Sequence, residues 1–156
     1  MKNTTCFFTG HRKLPKEKIE HIIKRLDYEI DNLIARGVAN FISGGALGFD
    51  QIAASLIVAK KEMRRDIRLI FALPYKNQDE LWNDAQKQLY RNLLAEADEV
   101  IYISEEYFDG CMKKRNRYMV ERSAYCICAL LNPRSGTGQT VRYAKEQGVW
   151  ILKVMG

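Results

Sequence analysis

The chain of 156 residues carries 25 basic and 19 acidic side chains, a formal net charge of +6, and 47% hydrophobic residues. This length suits one domain that buries its own core, so we expect a single domain over residues 1–156. No apolar run approaches the roughly 20 residues of a membrane span, and the mild positive charge is compatible with an anionic ligand without indicating nucleic-acid binding.

The cysteines and the first residues predict a reducing, cytoplasmic location and no membrane partner. Residues 1–5 lead directly into a strand-like run, without an apolar segment and cleavage site. Cys6, Cys126 and Cys128 are typical of small core residues, and no Cys-x-x-Cys pair predicts a metal site. If the run that holds Cys126 and Cys128 is a strand, we expect the two thiols on opposite faces and therefore not in one metal site.

Strand and helix signals alternate along the chain. In the longest helical pattern, apolar residues recur three or four apart from Ile19 to Ile34, with Pro15 suiting the first turn and Gly37 the stop. The predicted strands are Cys6–Thr9, Asn40–Ser43, Ile67–Leu73, Glu99–Ile103, Tyr125–Leu131 and Val149–Val154. The predicted helices are Pro15–Arg36, Asp50–Met63, Gln78–Ala97 in one piece or two, Lys114–Ala124 and Gln139–Gln147.

The predicted strands are apolar on both faces, as residues 69–73 and 127–131 illustrate. This pattern is typical of a parallel sheet that helices cover on both sides. We therefore predict an α/β fold, Rossmann-like and doubly wound, with a mainly parallel sheet of about six strands and helices on both faces. For the strand order, we expect strand one beside strand four.

Glycines concentrate in the loops that follow predicted strands, the edge at which open parallel sheets bind ligands. In the loops 43–50 and 134–140, glycines precede a helix start, an arrangement that can cradle an anion with backbone N–H groups. Tight turns would account for either loop alone. After strand one, His11 is a ligand contact, a turn residue or a general base, in that order of preference, and Arg12 suits an anionic group.

Five segments in order resemble the YpsA-like proteins of the SLOG superfamily, which also holds the DNA-processing protein DprA (Smf) and the Lonely Guy phosphoribohydrolases. They are T-G-H-R (9–12), S-G-G-A-L-G-F-D (43–50), L-P-Y-x₂-Q-x₃-W (73–82), C-M-K-K-R-N-R-Y-M-V-E-R-S (111–123) and N-P-R-S-G-T-G-Q-T (132–140). The resemblance runs from about Cys6 to the end. It implies a Rossmann-like fold and binding of nucleotides, nucleotide-derived signals or nucleic acid.

The loops and the resemblance together predict a set of ligand-binding residues that all fall within these five segments. The set comprises Thr9, Gly10, His11, Arg12, Ser43, Gly44, Gly45, Gly48, Asp50, Pro74, Gln78, Arg115, Asn116, Met119, Arg122, Asn132, Ser135, Gly136, Thr137, Gly138 and Thr140. The expected ligand is a nucleotide or an ADP-ribose-like molecule, with no metal.

The phosphoribohydrolases carry P-G-G-x-G-T-x-x-E, whose glutamate acts in catalysis. Here the Gly136-Thr137 pair is kept, but Gln139 or Thr140 stands where the glutamate would be, and neither is a general acid or base. We therefore expect no phosphoribohydrolase activity. Glu121 is the one carboxylate near the M-x-x-R pattern that resembles the hydrolase helix, and it is the candidate catalytic residue.

Three functions stay open. The favoured one is binding or sensing of a nucleotide-like ligand. The second is hydrolysis of an N-glycosidic bond, which would need a carboxylate such as Glu121, Asp50 or Asp109. The third is DprA-like nucleic-acid binding through the basic cluster 113–117, which the modest charge predicts to be weak and salt-sensitive. The oligomeric state is open, and a homo-oligomer is compatible with each reading.

Overall fold

Six parallel strands form one sheet in the computed structural model, which describes residues 1–155. The strands are β1 (Thr5–Gly10), β2 (Asn40–Ser43), β3 (Arg68–Leu73), β4 (Glu99–Tyr102), β5 (Tyr125–Ala129) and β6 (Trp150–Met155). The helices are α1 (Lys16–Ala35), α2 (Phe49–Met63), α3 (Asp84–Ala95), α4 (Cys111–Glu121) and α5 (Gly136–Glu146). The predicted doubly wound α/β fold is confirmed. Within residues 1–155 no helix is long and apolar enough to cross a membrane.

Two hydrophobic cores lie on opposite faces of the sheet. Side chains of α1, α2 and α3 pack on one face, where Phe8 of β1 lies against both Phe41 of β2 and Phe49 of α2. Side chains of α4 and α5, among them Met119 and Val141, pack on the other face. The inner strands β1, β2, β3 and β5 are therefore buried on both sides, as their continuous apolar runs predicted, whereas the edge strands β4 and β6 are partly exposed.

The strand order is β4-β3-β2-β1-β5-β6, so β1 lies between β2 and β5. The expectation that strand one adjoins strand four is wrong. Helices α1, α2 and α3 all pack on the same face of the sheet. The strand that follows α3 is therefore added beyond β3 as the edge strand β4, and only then does the chain cross to the other face. Right-handed crossovers keep their direction while the helices stay on one face. The order therefore reverses between β1 and β5.

The predicted helix Gln78–Ala97 is shorter in the structure, where α3 spans Asp84–Ala95. Asn83 caps this helix: its side chain accepts a hydrogen bond from the backbone N–H of Gln86, and the Gln86 side chain accepts one from the backbone N–H of Asn83. This capping box fixes where the helix begins and leaves residues 74–82 as turns.

Helices α4 and α5 each begin three residues earlier than the sequence predicted, at Cys111 and at Gly136. Ser135 caps α5 by accepting a hydrogen bond from the N–H of Gly138 at 3.1 Å. The glycine-rich segment 136–138 is therefore the first turn of a helix and not a loop before it, which brings the helix N-terminus to the edge of the sheet.

Cys126 and Cys128 lie on the same face of β5, and both pack in the core beneath α4 and α5. The expectation of opposite faces is wrong, because side chains alternate along a strand and residues two apart share a face. All four cysteines are free and buried, and residues 1–155 contain no cluster of ligands that could hold a metal ion.

Two contacts join the loops at the carboxyl ends of the strands. Phe49, at the start of α2, packs against Gly10, where an added Cβ would lie 2.5 Å from its ring. The ring of His11 accepts a hydrogen bond at Nε2 from the backbone N–H of Leu131, at 2.8 Å. The loop after β1 is thereby tied both to α2 and to the loop after β5.

Replacing Phe49 by alanine should lower the free energy of unfolding by about 3–5 kcal/mol, because the ring is fully buried between β1 and α2. Urea denaturation measures the change. Met63→Ala is the matched control on the same helix, since Met63 is 88% exposed and should cost no more than about 0.5 kcal/mol. Equal losses in the two variants would contradict the packing described here.

The contribution of His11 to stability should depend on pH. Burial lowers the pKa of His11, and a protonated Nε2 cannot accept the Leu131 N–H. The stabilisation is therefore present above the unfolded-state pKa of about 6.5 and is lost as pH falls through the lower folded-state pKa.

We expect the stability gap between wild type and His11→Ala to shrink between about pH 7.5 and pH 5 in urea titrations. His21→Ala, at an exposed position of α1, is the control variant and is measured in the same titrations. A constant gap for His11→Ala would mean that this hydrogen bond does not contribute to folding.

Candidate functional site

A cleft of about 260 Å³ opens where the strand order reverses, between the carboxyl ends of β1 and β5. The loops after these two strands lead to α1 and α5 on opposite faces of the sheet, and their divergence leaves the space. The cleft is lined by Thr9, Gly10, His11, Arg12, Ala46, Asp50, Met112, Arg115, Asn116, Met119, Ser135, Gly136 and Thr137. All of these except Ala46 and Met112 belong to the set predicted from the sequence.

Arg115 is the most deeply buried cation of the cleft, with 5% of its surface exposed. Its Nη1 donates to the carbonyl oxygen of Gly44 at 2.7 Å, and its Nε donates to the side chain of Asn116 at 2.9 Å. Its Nη2 meets only the sulfur of Met112, at 3.8 Å, and sulfur is a weak acceptor. Burial lowers the pKa of Arg115, yet a guanidinium stays protonated in proteins. The cleft therefore holds a buried positive charge with donor capacity to spare.

Asp50 is the one carboxylate among the residues that line the cleft, and it is 7% exposed. Burial raises the pKa of Asp50 to about 6, against the lowering effect of the Arg115 charge, the Ala46 N–H and the Arg12 charge. Within residues 1–155, Asp50 and Arg115 form no ion pair. A buried carboxyl that titrates near neutral pH thus faces the same space as a permanent cation.

The N-terminus of α5 forms the opposite wall of the cleft. Residues 1–155 provide no hydrogen-bond acceptor for the backbone N–H groups of Gly136 and Thr137, whereas Gly138 and Gln139 are bonded to Ser135. An added Cβ at Gly136 would meet nothing within 4 Å. Free N–H groups and the helix dipole make this wall suitable for an anion.

Most of the other glycines in the predicted set serve packing between loops. An added Cβ at Gly44 would lie 2.5 Å from the Arg115 guanidinium, and one at Gly45 would lie 2.8 Å from Leu73. At Gly48, which has φ +85°, and at Gly138, it would collide with the backbone of Arg12 and Pro133. The cleft lining contains none of these four glycines. The structure explains these glycines by the close approach of one loop to another, and their contact with a ligand stays a prediction.

Further members of the predicted set lie around the cleft and support its walls. The Ser43 hydroxyl donates to the carbonyl of Asp50, and the Gln78 amide donates to Gly44 O and Tyr90 Oη. The Asn132 side chain accepts the N–H of Arg134 within the loop after β5. Pro74 is buried where β3 ends. These residues position loops and are not part of the cleft lining.

Glu121 and Arg122 lie at the C-terminal end of α4, away from the cleft. They line a separate cavity of about 380 Å³ together with Met1 and Thr5, at the amino ends of the strands. Glu121 accepts a hydrogen bond from the hydroxyl of Tyr143 at 2.7 Å. The structure therefore places the candidate catalytic carboxylate outside the space that Arg115 and α5 enclose.

A second depression of about 540 Å³ lies beside the cleft, between α4 and α5, and is called the α4–α5 groove below. It shares Met112, Asn116 and Gly136 with the cleft. Its other lining residues are Tyr107, Asp109, Gly110, Lys113, Arg117, Gln139, Thr140, Arg142, Tyr143 and Glu146. Only Asn116, Gly136 and Thr140 of the predicted set line it. The i, i+4 spacing of Lys113 and Arg117 was the available signal, because a helix brings such residues to one face.

Residues 7–147 match the model of the YspA SLOG family, YpsA. The chain is 36% identical over 158 residues to the SPbeta prophage-derived protein YoqJ of Bacillus subtilis (strain 168), covering 94% of this chain and 85% of that protein. It is 30% identical over 107 residues to the UPF0398 protein BH1768 of Halalkalibacterium halodurans, covering 67% of this chain and 57% of that protein.

Among solved structures, DNA processing protein A (DprA) from Streptococcus pneumoniae matches with a TM-score of 0.68 at 20% identity, covering 97% of this chain and 50% of that chain. DprA from Helicobacter pylori, described for its single-stranded DNA binding mode, matches with a TM-score of 0.69 at 20% identity, covering 97% and 65% of the two chains. At this identity the likeness shows a shared fold, and this chain spans half to two thirds of the DprA chains. From the family match and the agreement with YoqJ, this chain belongs to the YspA SLOG family.

Proposed function

We propose that the cleft binds the phosphate group of a nucleotide or nucleotide-derived ligand. One observation carries the proposal: the buried guanidinium of Arg115 and the open N-terminus of α5 line the same space. A buried charge is costly unless it is paired, and an anion between the two walls would supply the partner. Guanidinium groups and helix N-termini are both suited to phosphate oxygens.

We infer binding without hydrolysis as the main role. Gln139 and Thr140, which stand where the hydrolases carry glutamate, line the α4–α5 groove and bring no carboxylate. Glu121 lies at the other end of α4. Asp50 is the remaining acid–base candidate, because burial places its pKa at about 6, and turnover lost in Asp50→Asn would favour the hydrolase reading.

A charge at Gly136 should abolish phosphate binding. Gly136→Asp places a carboxylate beside the free N–H groups, and two like charges about 4 Å apart repel by about 4 kcal/mol near a protein surface. Because aspartate is favourable in a first helical turn and the position is open, the fold should be retained. Calorimetric titration with AMP measures the affinity.

Gly136→Asn is the matched control, since asparagine has the same shape as aspartate without its charge. It should keep most of the affinity. If the aspartate variant binds AMP as tightly as wild type while folded, or if wild type binds no nucleotide, the proposed function is wrong.

Ligand affinity should rise as pH falls through the pKa of Asp50, about 6. Protonation removes the one negative charge of the cleft lining, so an anion should bind at least about fivefold more tightly below that pKa than above it. ADP-ribose is the suitable probe, because its pyrophosphate has no secondary ionisation near pH 6, unlike a phosphate monoester.

In Asp50→Asn, the contribution of Asp50 to this pH dependence should be absent. Only the contribution of other titrating groups, such as His11, should remain. The difference between the two pH profiles gives the contribution of Asp50 to the affinity. An identical pH profile in both proteins would show that Asp50 does not sense the ligand charge.

Nucleic-acid binding is a second candidate, favoured by the cations of the α4–α5 groove and by the fold shared with DprA. We expect the affinity for a single-stranded oligothymidylate to be weak and to fall steeply as salt rises, because few phosphates can be contacted. Fluorescence anisotropy across a salt series measures this. Tight binding at physiological salt would make nucleic acid the better reading.

A further inference from the structure

The α4–α5 groove adjoins the cleft. Met112 and Asn116 of α4 and Gly136 of α5 line both, so a ligand whose phosphate lies against Gly136 has the groove beside it. The groove is the larger of the two, about 540 Å³ against about 260 Å³. A ligand confined to the cleft would leave this adjoining space unused.

The groove carries three cations that form no ion pair within residues 1–155, beside two carboxylates, Asp109 and Glu146. Lys113, Arg117 and Arg142 line it, and none of them belongs to the seven ion pairs found within residues 1–155. Arg117 lies over the ring of Tyr143, 4.4 Å from its centroid, which holds the guanidinium at the groove wall. The arrangement offers donors to an anionic group outside the cleft.

An aromatic side chain stands at the edge of the groove. Tyr107, in the segment between β4 and α4, is 62% exposed. Its ring packs edge-on against Tyr75 with 5.5 Å between centroids, so it is held from one side while its surface stays open to solvent. An exposed and supported ring beside unpaired cations is suited to stack on a nucleobase.

We propose that the α4–α5 groove is a second subsite for the ligand of the cleft, and that this ligand is a pyrophosphate-bridged nucleotide rather than a mononucleotide. The first phosphate lies between Arg115 and the N-terminus of α5, and the second phosphate and its nucleoside extend into the groove, toward Lys113 and Tyr107. This inference rests on the proposed function, since it extends the same site.

The distribution of charge favours a small ligand over a nucleic-acid strand. The ion pairs of the described chain use six other cations, and none of these lines the groove: Lys24, Lys60, Lys61, Arg64, Arg68 and Lys76. Proteins that bind single strands track the backbone with an extended basic groove. Here Lys113, Arg117 and Arg142 line one depression of about 540 Å³, the scale of a small-molecule site.

Calorimetric titrations with AMP and with ADP-ribose test the proposal. Wild type should bind ADP-ribose at least about tenfold more tightly than AMP, which corresponds to one or two additional charge-assisted contacts. Lys113→Glu and Tyr107→Ala should each remove most of this preference and leave the AMP affinity within about twofold. Tyr107→Phe should retain the preference, because the stacking surface is unchanged.

The control variants are Arg65→Ala and Tyr28→Ala, which alter an exposed cation and a tyrosine that is 61% exposed, both away from the groove. Neither should change the preference. Equal affinities for AMP and ADP-ribose, with binding still lost in Gly136→Asp, would overturn the second subsite and leave the proposed function standing. No binding of either nucleotide would overturn both, and displacement of bound ADP-ribose by a low concentration of oligothymidylate would favour a nucleic-acid ligand instead.

Discussion

The site depends on how one buried cation is held. Arg115 reaches from α4, on one face of the sheet, to the carbonyl oxygens of Gly44 and Ala72, at 2.7 and 3.4 Å, where β2 and β3 end. Desolvating a guanidinium is unfavourable, and these carbonyl contacts offset only part of the cost. The fold therefore retains a positive charge at the point where the strand order reverses, and the loops around it are arranged to accommodate that charge.

The glycine-rich segments follow from this arrangement. Gly44 leaves room for the guanidinium, and Gly10 leaves room for the ring of Phe49. At Gly48 and Gly138 the backbone passes against another loop so closely that no side chain fits. The loops are thus packed as a layer over the ends of the strands, and of the glycines in that layer, Gly136 combines contact with the cleft and open space around its Cα. The open wall of the cleft and the packing between loops thus use the same residue type for different physical reasons.

Local sequence signals predicted the elements well and their arrangement less well. Apolar periodicity is a local property, so the core face of α1 and the doubly buried strands could be predicted from the residues alone. The strand order depends on which face α3 occupies, and no spacing in the sequence encodes that choice. The sequence likewise could not show how far Glu121 lies from the cleft in space. Helix α4 carries Arg115 in the cleft and Glu121 at its C-terminal end, beside a separate cavity.

The residues that line the cleft were predicted where loops directly follow strands, as with Thr9 to Arg12 and Ser135 to Thr137, and where the family resemblance covers α4, as with Arg115. Met112 was missed because the predicted start of α4 fell three residues too late, and Lys113 was named only as part of the basic cluster 113–117. A helix boundary that moves by three residues changes which side chains face a neighbouring helix. The α4–α5 groove was therefore out of reach of a sequence argument based on loops.

The packing of the glycine layer also limits how this site can vary among relatives. Substitutions at Gly48 and Gly138 meet backbone atoms, and one at Gly10 meets the base of the buried Phe49 side chain, so these three positions tolerate almost no change whatever the ligand. The exposed positions of the groove, such as Tyr107 and Lys113, carry no such constraint. In a protein of this design, the side chains that line the groove can change while the glycine layer stays fixed, so the groove can diverge without redesign of the core.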